Sequence, residues 1–455
     1  MADARKRGGD TMKNLSALFV ALIMAPLMWT GDAKAEINIQ EVTSPGGIKA
    51  WLVEEPSIPF MALELRFRGG ASLDRVGKRG AMNLMTGLLE EGAGDLDSRG
   101  FARELETLAT SFGYDVGADE LSISAQFLTE NRDASIELLR ASLIEPRFDD
   151  ADVERVRAQV LAGLRSNSTD PDKIASKTFN ALAFGDHPYG SDLSGTIESV
   201  TALNRDDLIA AHSDVFAKDR LYVGAVGDIT PDELGALLDR LLGDLPDAGA
   251  AMPQMADITI EGGVTVVDFD TPQSVAIFGH EGIGLDHPDY FPAVVLNQIL
   301  GGGSFESRLM TEVREKRGLT YGVYSYIAPR DYAATYLGQV ASANDRIAEA
   351  ISVIRAEWAK AASEGVSEQE LNDAKTYMTG AYPLRFDGNG PIARIMVGMQ
   401  MIGLPSDYIA TRSARVEAVS MEDVKRVAGE LLDPDGLRFV VVGKPVGLET
   451  GPLPD

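Results

Sequence analysis

The chain has 455 residues, with 69 Asp and Glu against 42 Lys and Arg, and its formal net charge is −27. A charge of this sign repels nucleic acid and anionic lipid surfaces, so we expect neither class as a partner. Cysteine is absent and only four histidines occur, which excludes disulfides and cysteine nucleophiles and leaves histidines and carboxylates as possible metal ligands.

Residues 1–35 have the features of a secretory signal peptide. Basic residues between Arg5 and Lys13 precede an apolar stretch over residues 15–29, and residues 33–35 (Ala-Lys-Ala) are small where a signal peptidase cleaves. The alternative is a retained membrane anchor, but the stretch contains Pro26 and is shorter than the roughly 20 apolar residues of a bilayer span. We therefore expect an exported, periplasmic protein that is soluble after cleavage.

The first predicted domain, residues 36–247, begins with strands and continues mostly with helices. Hydrophobic periodicity predicts strands over residues 37–42, 48–54 and 61–68, a helix over 81–89, a helix over about 99–112, a strand over 120–127, a helix over 131–143, a longer helix from residue 150 and a strand over 221–226.

A linker over residues 248–262 is predicted to separate the two domains, because residues 245–257 contain two prolines and show weak periodicity. The second domain, residues 263–455, repeats the order of the first. Its predicted elements are strands over residues 264–269 and 274–280, a helix over 290–299, strands over about 321–327 and 333–340, helices over 346–364 and from 367 onward, and a strand over 437–442.

Four short segments of the first domain recur in the second in the same order. Residues 70–74 match 282–286, residues 148–153 resemble 366–371, and residues 220–227 match 436–443. The helix caps at Asn204 and Ser420, each with Asp three residues later, form the fourth pair. We therefore predict an α+β fold made of two homologous domains, each a mixed sheet with helices packed on one face.

Residues 307–321 (SRLMTEVREKRGLTY) closely resemble the C-terminal signature of the insulinase/pitrilysin family of zinc metallopeptidases. Residues 184–190 (FGDHPYG) and 296–302 (LNQILGG) are two further landmarks of that family, and all three stand in the family's order. The resemblance implies a duplicated α+β domain. The chain length is similar to that of the short, processing-peptidase-like branch, in which two chains enclose a chamber.

The family's catalytic motif is His-x-x-Glu-His on a helix, in which two histidines bind zinc and the glutamate is the general base. The equivalent helix here carries Asn83 and Gly87 at the histidine positions and Thr86 at the base position. The distal glutamate ligand would fall within residues 160–164, which contain no carboxylate, and no two histidines lie four residues apart. We therefore expect no metal and no cofactor in this chain, which alone should be inactive as an enzyme.

Arg314 and Tyr321 match an Arg/Tyr pair of the family's C-terminal domain. The resemblance implies that this pair reaches the zinc centre of a catalytic domain and holds the bound peptide. A guanidinium and a phenol are suited to this role, because both can donate hydrogen bonds to an oxyanion. The alternative is a surface cluster of charges over residues 314–317 that closes a helix at Gly318.

Gly301, Gly302 and Gly303 resemble the glycine-rich loop of the non-catalytic subunit of mitochondrial processing peptidases, which implies contact with substrate. The alternative is a flexible turn in which Ser304 caps the next helix.

These observations favour a non-catalytic subunit of a heterodimeric zinc metallopeptidase. Its expected partner carries His-x-x-Glu-His and the zinc, its expected ligand is a peptide, and it would supply Arg314 and Tyr321 in trans. One alternative is an inert scaffold or binding protein of the same fold. Another is an autonomous peptidase with unusual metal ligands.

Overall fold

Two β-sheets organise the protein in a computed structural model that describes residues 37–303 and 306–448. The predicted signal peptide lies outside the described residues. The strands are β1 (Gln40–Thr43), β2 (Lys49–Glu54), β3 (Phe60–Arg68), β4 (Gly92–Ala93), β5 (Leu96–Asp97), β6 (Ser111–Val116), β7 (Glu120–Leu128), β8 (Leu221–Gly227), β9 (Gly263–Asp268), β10 (Gln273–Glu281), β11 (Val323–Pro329), β12 (Ala334–Ala343) and β13 (Arg438–Gly443).

The helices follow the strands in two series of similar order. They are α1 (Ala81–Thr86), α2 (Ser98–Leu108), α3 (Arg132–Ile144), α4 (Asp150–Asn167), α5 (Pro171–Phe184), α6 (Ile197–Ala202), α7 (Arg205–Val215), α8 (Pro231–Leu242), α9 (Tyr290–Gly301), α10 (Ile347–Glu364), α11 (Glu368–Gly380), α12 (Asn389–Met401), α13 (Tyr408–Glu417) and α14 (Met421–Leu431). A π-helix spans Met310–Glu315. No helix within the described residues is long and apolar enough to cross a membrane.

The two sheets share one strand order and one set of strand directions. The first runs β1-β2-β8-β3-β7-β6, and the second runs β9-β13-β10-β12-β11. In each sheet a single parallel pair, β2 with β8 or β9 with β13, is followed by antiparallel pairs. The match confirms the predicted α+β fold with a duplicated unit, to which β1 adds one strand. The exact domain and linker boundaries given above stay predictions.

Each sheet has its own core on the face covered by its own helices. The first core includes Leu63, Leu65 and Phe67 of β3, which pack with residues of α1, α3, α7 and α8. The second includes Phe278 of β10 and the fully buried Trp358 of α10. Burial on this scale supplies the main free energy of folding for both halves.

A helix from the opposite half of the chain packs on each sheet's other face. Helix α12, from the second half, packs on β3 and β8 of the first sheet, whereas α5, from the first half, packs on β10 and β13 of the second. Two further apolar clusters fill these contacts, and one of them joins Ala62 and Val226 to Ala393 and Met396. Helices α5 and α12 hold equivalent places in their halves, each directly after a long helix, so the exchange is reciprocal.

The predicted helix over residues 99–112 ends earlier than expected. Ala109 takes a left-handed conformation with φ of 49° that stops α2 at Leu108, and the chain continues as β6. Phe112, Tyr114 and Val116 alternate along β6 and pack against the first core. The helix prediction over 99–112 was therefore wrong at its C-terminal end, where a period of two replaces the helical period.

Candidate functional site

Helix α1 carries the positions at which the family's zinc motif would stand. Asn83 is half-buried, and Thr86 is buried with its hydroxyl donating to the carbonyl oxygen of Met82 at 2.8 Å. The Thr86 hydroxyl therefore has its hydrogen-bond acceptor within the backbone of its own helix. Gly87 follows the helix and is exposed. These groups supply neither an imidazole nor a carboxylate for a metal or for general base catalysis.

Asp74 fixes the beginning of α1. Its carboxylate accepts hydrogen bonds from the backbone N–H groups of Gly80 at 2.7 Å and Met82 at 2.8 Å. Burial raises the pKa of Asp74 to about 6, although the two N–H groups and the Arg79 guanidinium oppose that rise. The first turn of α1 is thus held by a carboxylate whose pKa lies well above that of an ordinary aspartate.

Helix α4 passes beside α1 where a distal metal ligand would be needed. The Cα position of Gly87 faces α4 so closely that an added Cβ would lie 3.2 Å from a methyl group of Val156. One turn further along α4, Val160 is partly buried against the first core and Gly163 is exposed. Within residues 37–303 and 306–448 no group of three His, Asp or Glu lies together in a way that could hold a metal ion.

Glu90 and Glu91 are the carboxylates that follow α1, and they have different environments. Burial, together with the charge of Glu91, raises the pKa of Glu90. Glu91 accepts from the Arg155 guanidinium at 3.0 and 2.5 Å and from the Ser98 hydroxyl at 2.7 Å. These contacts outweigh the burial of Glu91 and lower its pKa. Glu91 is therefore a structural partner of α4 in this arrangement.

Each of the four histidines makes local contacts. His187 accepts from the Tyr189 N–H at 3.2 Å and so orders its turn, while the ring of His212 lies 2.8 Å from the Leu143 carbonyl oxygen. Burial lowers the pKa of both His212 and His280. The Trp358 indole N–H donates to His280 at 3.0 Å, and the Asp289 N–H donates to His287 at 3.1 Å. The contacts explain all four as structural residues.

Arg314 and Tyr321 lie on either side of a tight helix end in the second half. Arg314 stands in the last turn of the π-helix and is partly buried. Gly318 follows with φ of 60°, and its N–H donates to the Arg314 carbonyl oxygen at 2.8 Å. Tyr321 comes two residues before β11 and is 88% exposed. That the two side chains share one concave surface stays a prediction.

The other charges of this segment belong to a local cluster. The side chains of Lys316 and Arg317 both contact the Glu312 carboxylate, at 2.6 and 2.7 Å. Arg346 donates to the backbone carbonyl oxygens of Arg317 and Gly318. The alternative interpretation given above thus accounts for Lys316, Arg317 and Gly318. It does not account for the exposed ring of Tyr321.

The three glycines at the end of α9 differ in surroundings. A Cβ on Gly301 would lie 2.4 Å from the Ser325 hydroxyl oxygen, and one on Gly302 would lie 2.5 Å from the Cα atom of Gln298. These two positions therefore permit close packing of α9. Gly303 has φ of 82° and open space beside it, so it alone fits a turn. Ser304 and its proposed capping role lie outside the described residues, and contact with substrate stays a prediction.

The edge strand β6 was missed at this site, because the predicted helix over residues 99–112 extended over its first two residues and no strand was predicted over residues 113–116. Helix α1 packs against β6, and β6 pairs only with β7 in the first sheet. The alternation of Phe112, Tyr114 and Val116 was the signal that could have revealed it. An edge strand beside the former zinc helix presents backbone groups to an extended chain.

Comparison with known proteins identifies the family of both halves. Residues 49–197 match the model of the insulinase family of peptidases, M16, and residues 202–378 match the model of the peptidase M16 inactive domain. The non-peptidase homolog YmxG of Helicobacter pylori is 29% identical over 393 residues, which cover 86% of this chain and 90% of that protein. An uncharacterized zinc protease of Mycobacterium leprae is 26% identical over 406 residues, which cover 88% of this chain and 91% of that protein.

Solved structures agree with these matches. The peptidase M16 inactive domain from Pseudomonas fluorescens superposes with a TM-score of 0.84 and 28% identity, covering 92% of this chain and 100% of that chain. A protease from Helicobacter pylori shares the fold, with a TM-score of 0.80 at 16% identity over 89% of this chain and 99% of that one. Taken with the replaced residues of α1, these matches show that the chain belongs to peptidase family M16, the insulinase family, as a homologue of its inactive type.

Proposed function

We propose that this protein is the non-catalytic subunit of a two-chain zinc peptidase, to which it supplies Arg314 and Tyr321 in trans. The observation that carries the proposal is the contrast between the two halves. Asn83, Thr86 and Gly87 stand where the family has the groups that make a zinc hydroxide, whereas the partly buried Arg314 and the exposed Tyr321 match the family's Arg/Tyr pair. A donor pair of this kind contributes to hydrolysis only if a zinc centre of another chain faces it.

The chemistry of the pair suits the attack of zinc hydroxide on a peptide bond. The carbonyl oxygen becomes an oxyanion, and a guanidinium and a phenol placed in advance stabilise it without changing their own protonation. In this proposal the zinc, the base and the water belong to the partner, a family member with His-x-x-Glu-His. This chain holds and orients the peptide.

The peptide-binding part of the proposal is supported by β6. Its outer backbone groups face away from β7, and an extended peptide can add to such an edge as a further strand. The alternative function, an inert scaffold of the same fold, is favoured by the close approach of α4 to the end of α1, where a Cβ on Gly87 would lie 3.2 Å from a methyl group of Val156. The two alternatives differ in whether substitution of Arg314 changes the rate of an assembled complex.

Export is a further part of the proposal. The basic start, the apolar stretch and the small residues within residues 1–35 support export of the two-chain peptidase to the periplasm, where the mature chain would meet peptides. N-terminal sequencing of the protein from the cell envelope fraction tests this, because cleavage after Ala35 leaves Glu36 as the first residue.

The function test mixes this chain with a family member encoded beside it that carries the zinc motif. We expect less than stoichiometric zinc in this chain alone, no peptide cleavage by it alone, and cleavage by the mixture. In the assembled complex, Arg314→Lys and Tyr321→Phe should each lower the turnover number by about 10²–10³, because each removes a donor to the transition state.

Arg317→Ala is the matched control, because Arg317 lies three residues from Arg314 and binds only within the local cluster with Glu312. It should leave the turnover number unchanged. Size-exclusion chromatography checks that all variants assemble equally. Wild-type turnover in both the Arg314 and the Tyr321 variants would leave the scaffold function standing, and one zinc per isolated chain would overturn the proposal.

A further inference from the structure

A cluster of arginines and aromatic rings covers the junction between α11, α12 and α13. Its cations are Arg385, which ends a short 3-10 helix after α11, and Arg412 and Arg415 on α13. Its rings are Tyr382 and Tyr408. We refer to these five residues as the arginine–tyrosine patch.

The rings hold the guanidinium groups in place. Arg412 lies over the ring of Tyr382 at 4.3 Å from its centre, and Arg415 lies over the ring of Tyr408 at 5.3 Å. Burial raises the pKa of Tyr382 to about 12, and the positive charges of Arg412 and Arg385 oppose that rise. Both guanidinium groups therefore lie near the phenol of Tyr382. Stacking fixes the plane of a guanidinium and leaves the N–H groups on its edge available to a carboxylate.

The patch is positive within an acidic protein. The patch contains three arginines and no carboxylate, whereas the whole chain has a net charge of −27. Within the described residues, the ion pairs to carboxylates involve none of the three arginines of the patch. Arg385 and Arg415 are exposed, and Arg412 is partly buried, with its guanidinium donating to the Met378 carbonyl oxygen at 3.3 Å.

Apolar surface adjoins these charges along the chain. Leu384, next to Arg385, is 79% exposed, and Tyr377, near the end of α11, is 55% exposed. Exposed leucine and tyrosine beside arginines that form no ion pair with a carboxylate of the described residues are typical of a protein interaction surface, since Tyr and Arg are the residues most enriched in the energetic centres of interfaces.

We propose that the arginine–tyrosine patch is a docking surface for an acidic polypeptide segment of another protein, which places carboxylates on Arg385, Arg412 and Arg415 and an apolar side chain on Leu384. The site lies outside helix α1 and the segment of Arg314 and Tyr321. The inference therefore goes beyond the proposed peptidase role and does not depend on it.

The charge of the rest of the molecule decides between classes of anionic partner. An anionic membrane or a nucleic acid extends well past the patch and would meet the surrounding acidic surface, where like charges repel. A short acidic segment contacts only the patch and avoids that repulsion. A carboxylate also accepts two parallel hydrogen bonds from one guanidinium, which favours Asp and Glu side chains as the ligand groups.

The test measures binding of a short fluorescent peptide of glutamates with one leucine to the full mature protein by anisotropy. The matched probe replaces every glutamate by glutamine. The variant is the pair Arg385→Gln with Arg415→Gln, which keeps Arg412 on Tyr382. The control is the pair Arg99→Gln with Arg103→Gln, which removes the same charge from exposed positions of α2.

We expect the glutamate peptide to bind the wild type and the α2 variant alike, and the patch variant at least about fivefold more weakly, with a smaller dependence on salt. The glutamine peptide should not bind. Equal binding by the patch and α2 variants, or no binding by the wild type, overturns the proposal. It is also overturned if phosphatidylglycerol vesicles bind through the patch more tightly than the peptide. A dimer of this chain that is lost in the patch variant would overturn it as well.

Discussion

Asp74 shows how one buried carboxylate that caps a helix can make the stability of the folded state depend on pH. Its side chain is fully buried, and it holds the first turn of α1 through two backbone N–H groups. Its pKa is about 6 because burial disfavours the charged form. In the unfolded chain the same group has a pKa near 3.8. The folded state therefore binds a proton on Asp74 at pH values where the unfolded state does not.

The sign of the linkage follows from these two pKa values. Protonation of Asp74 stabilises the folded state as pH falls from about 7 towards 4, and the ionised group costs stability above pH 6. We expect the free energy of unfolding of Asp74→Asn, measured in urea at each pH, to lack this component. The advantage of the wild type over Asp74→Asn should grow by about 2–3 kcal/mol between pH 7 and pH 4. Parallel pH profiles would contradict this assignment.

The role of a single residue was predictable from the sequence where a motif defined its position. It was not predictable where the role depends on a contact made only in the folded chain. Asn83 and Gly87 could be assigned to the zinc-ligand positions as a prediction, because helical spacing alone puts those positions on one face. The capping role of Asp74 was not visible, because it acts on Met82, eight residues away, through a turn. Lys316 and Arg317 needed the structure to be assigned to Glu312.

At the scale of elements, α12 of the second half packs closely against β8 of the first. A Cβ on Gly224 would lie 2.8 Å from both the Ala393 carbonyl oxygen and a methyl group of Val397. Glycine is needed there because backbone meets backbone. Gln400, one turn after Val397, donates to the carbonyl oxygen of Val223 at 2.8 Å and fixes the helix along the strand.

Gly224→Ala should therefore push α12 away from the first sheet. We expect a loss of about 1–3 kcal/mol in the free energy of unfolding, as for other overpacked cores. Gly113→Ala in β6 of the same sheet is the matched control, because its Cβ would meet nothing within 4 Å. Chemical denaturation compares the two. An equally small effect at both positions would mean that α12 does not lie on β8 as described.

Elements with a strong period were predicted well, and elements whose partners lie far along the chain were not. The strands β3, β7, β8 and β13 stand within about two residues of their predicted positions. The sequence analysis predicted one longer helix from residue 150 and did not separate α5 from it, although Ala175, Phe179 and Ala183 recur every four residues in α5. Their spacing gives no information on which sheet α5 covers, because either sheet presents an apolar face.

At the scale of the whole molecule, the reciprocal exchange of α5 and α12 makes the two halves depend on each other. Without α12, the first sheet would expose Ala62 and Val226, and without α5 the second would expose Val440 and Val442. Exposed apolar faces of this kind lead to association or unfolding. The sequence predicted the duplication correctly, but it gave no sign of the exchange.

The mature chain should consequently unfold in one cooperative transition in scanning calorimetry. A fragment of residues 36–262 should fail to fold alone and should recover native circular dichroism when refolded together with residues 263–455. The fragment of residues 263–455 alone serves as the control for the second half. Two separate transitions in the full chain, or a stable isolated first half, would contradict the coupling.

The equivalence of α5 and α12 also bears on how such a protein arose. A single ancestral half carries one such helix and one sheet that needs a helix from elsewhere. Two copies of that half satisfy each other by exchanging the helix, as in a domain-swapped dimer. Joining the two genes turns this concentration-dependent pairing into an intramolecular one and so raises the effective concentration of each helix for its sheet. After that fusion the halves are free to diverge, because neither has to remain complementary to itself.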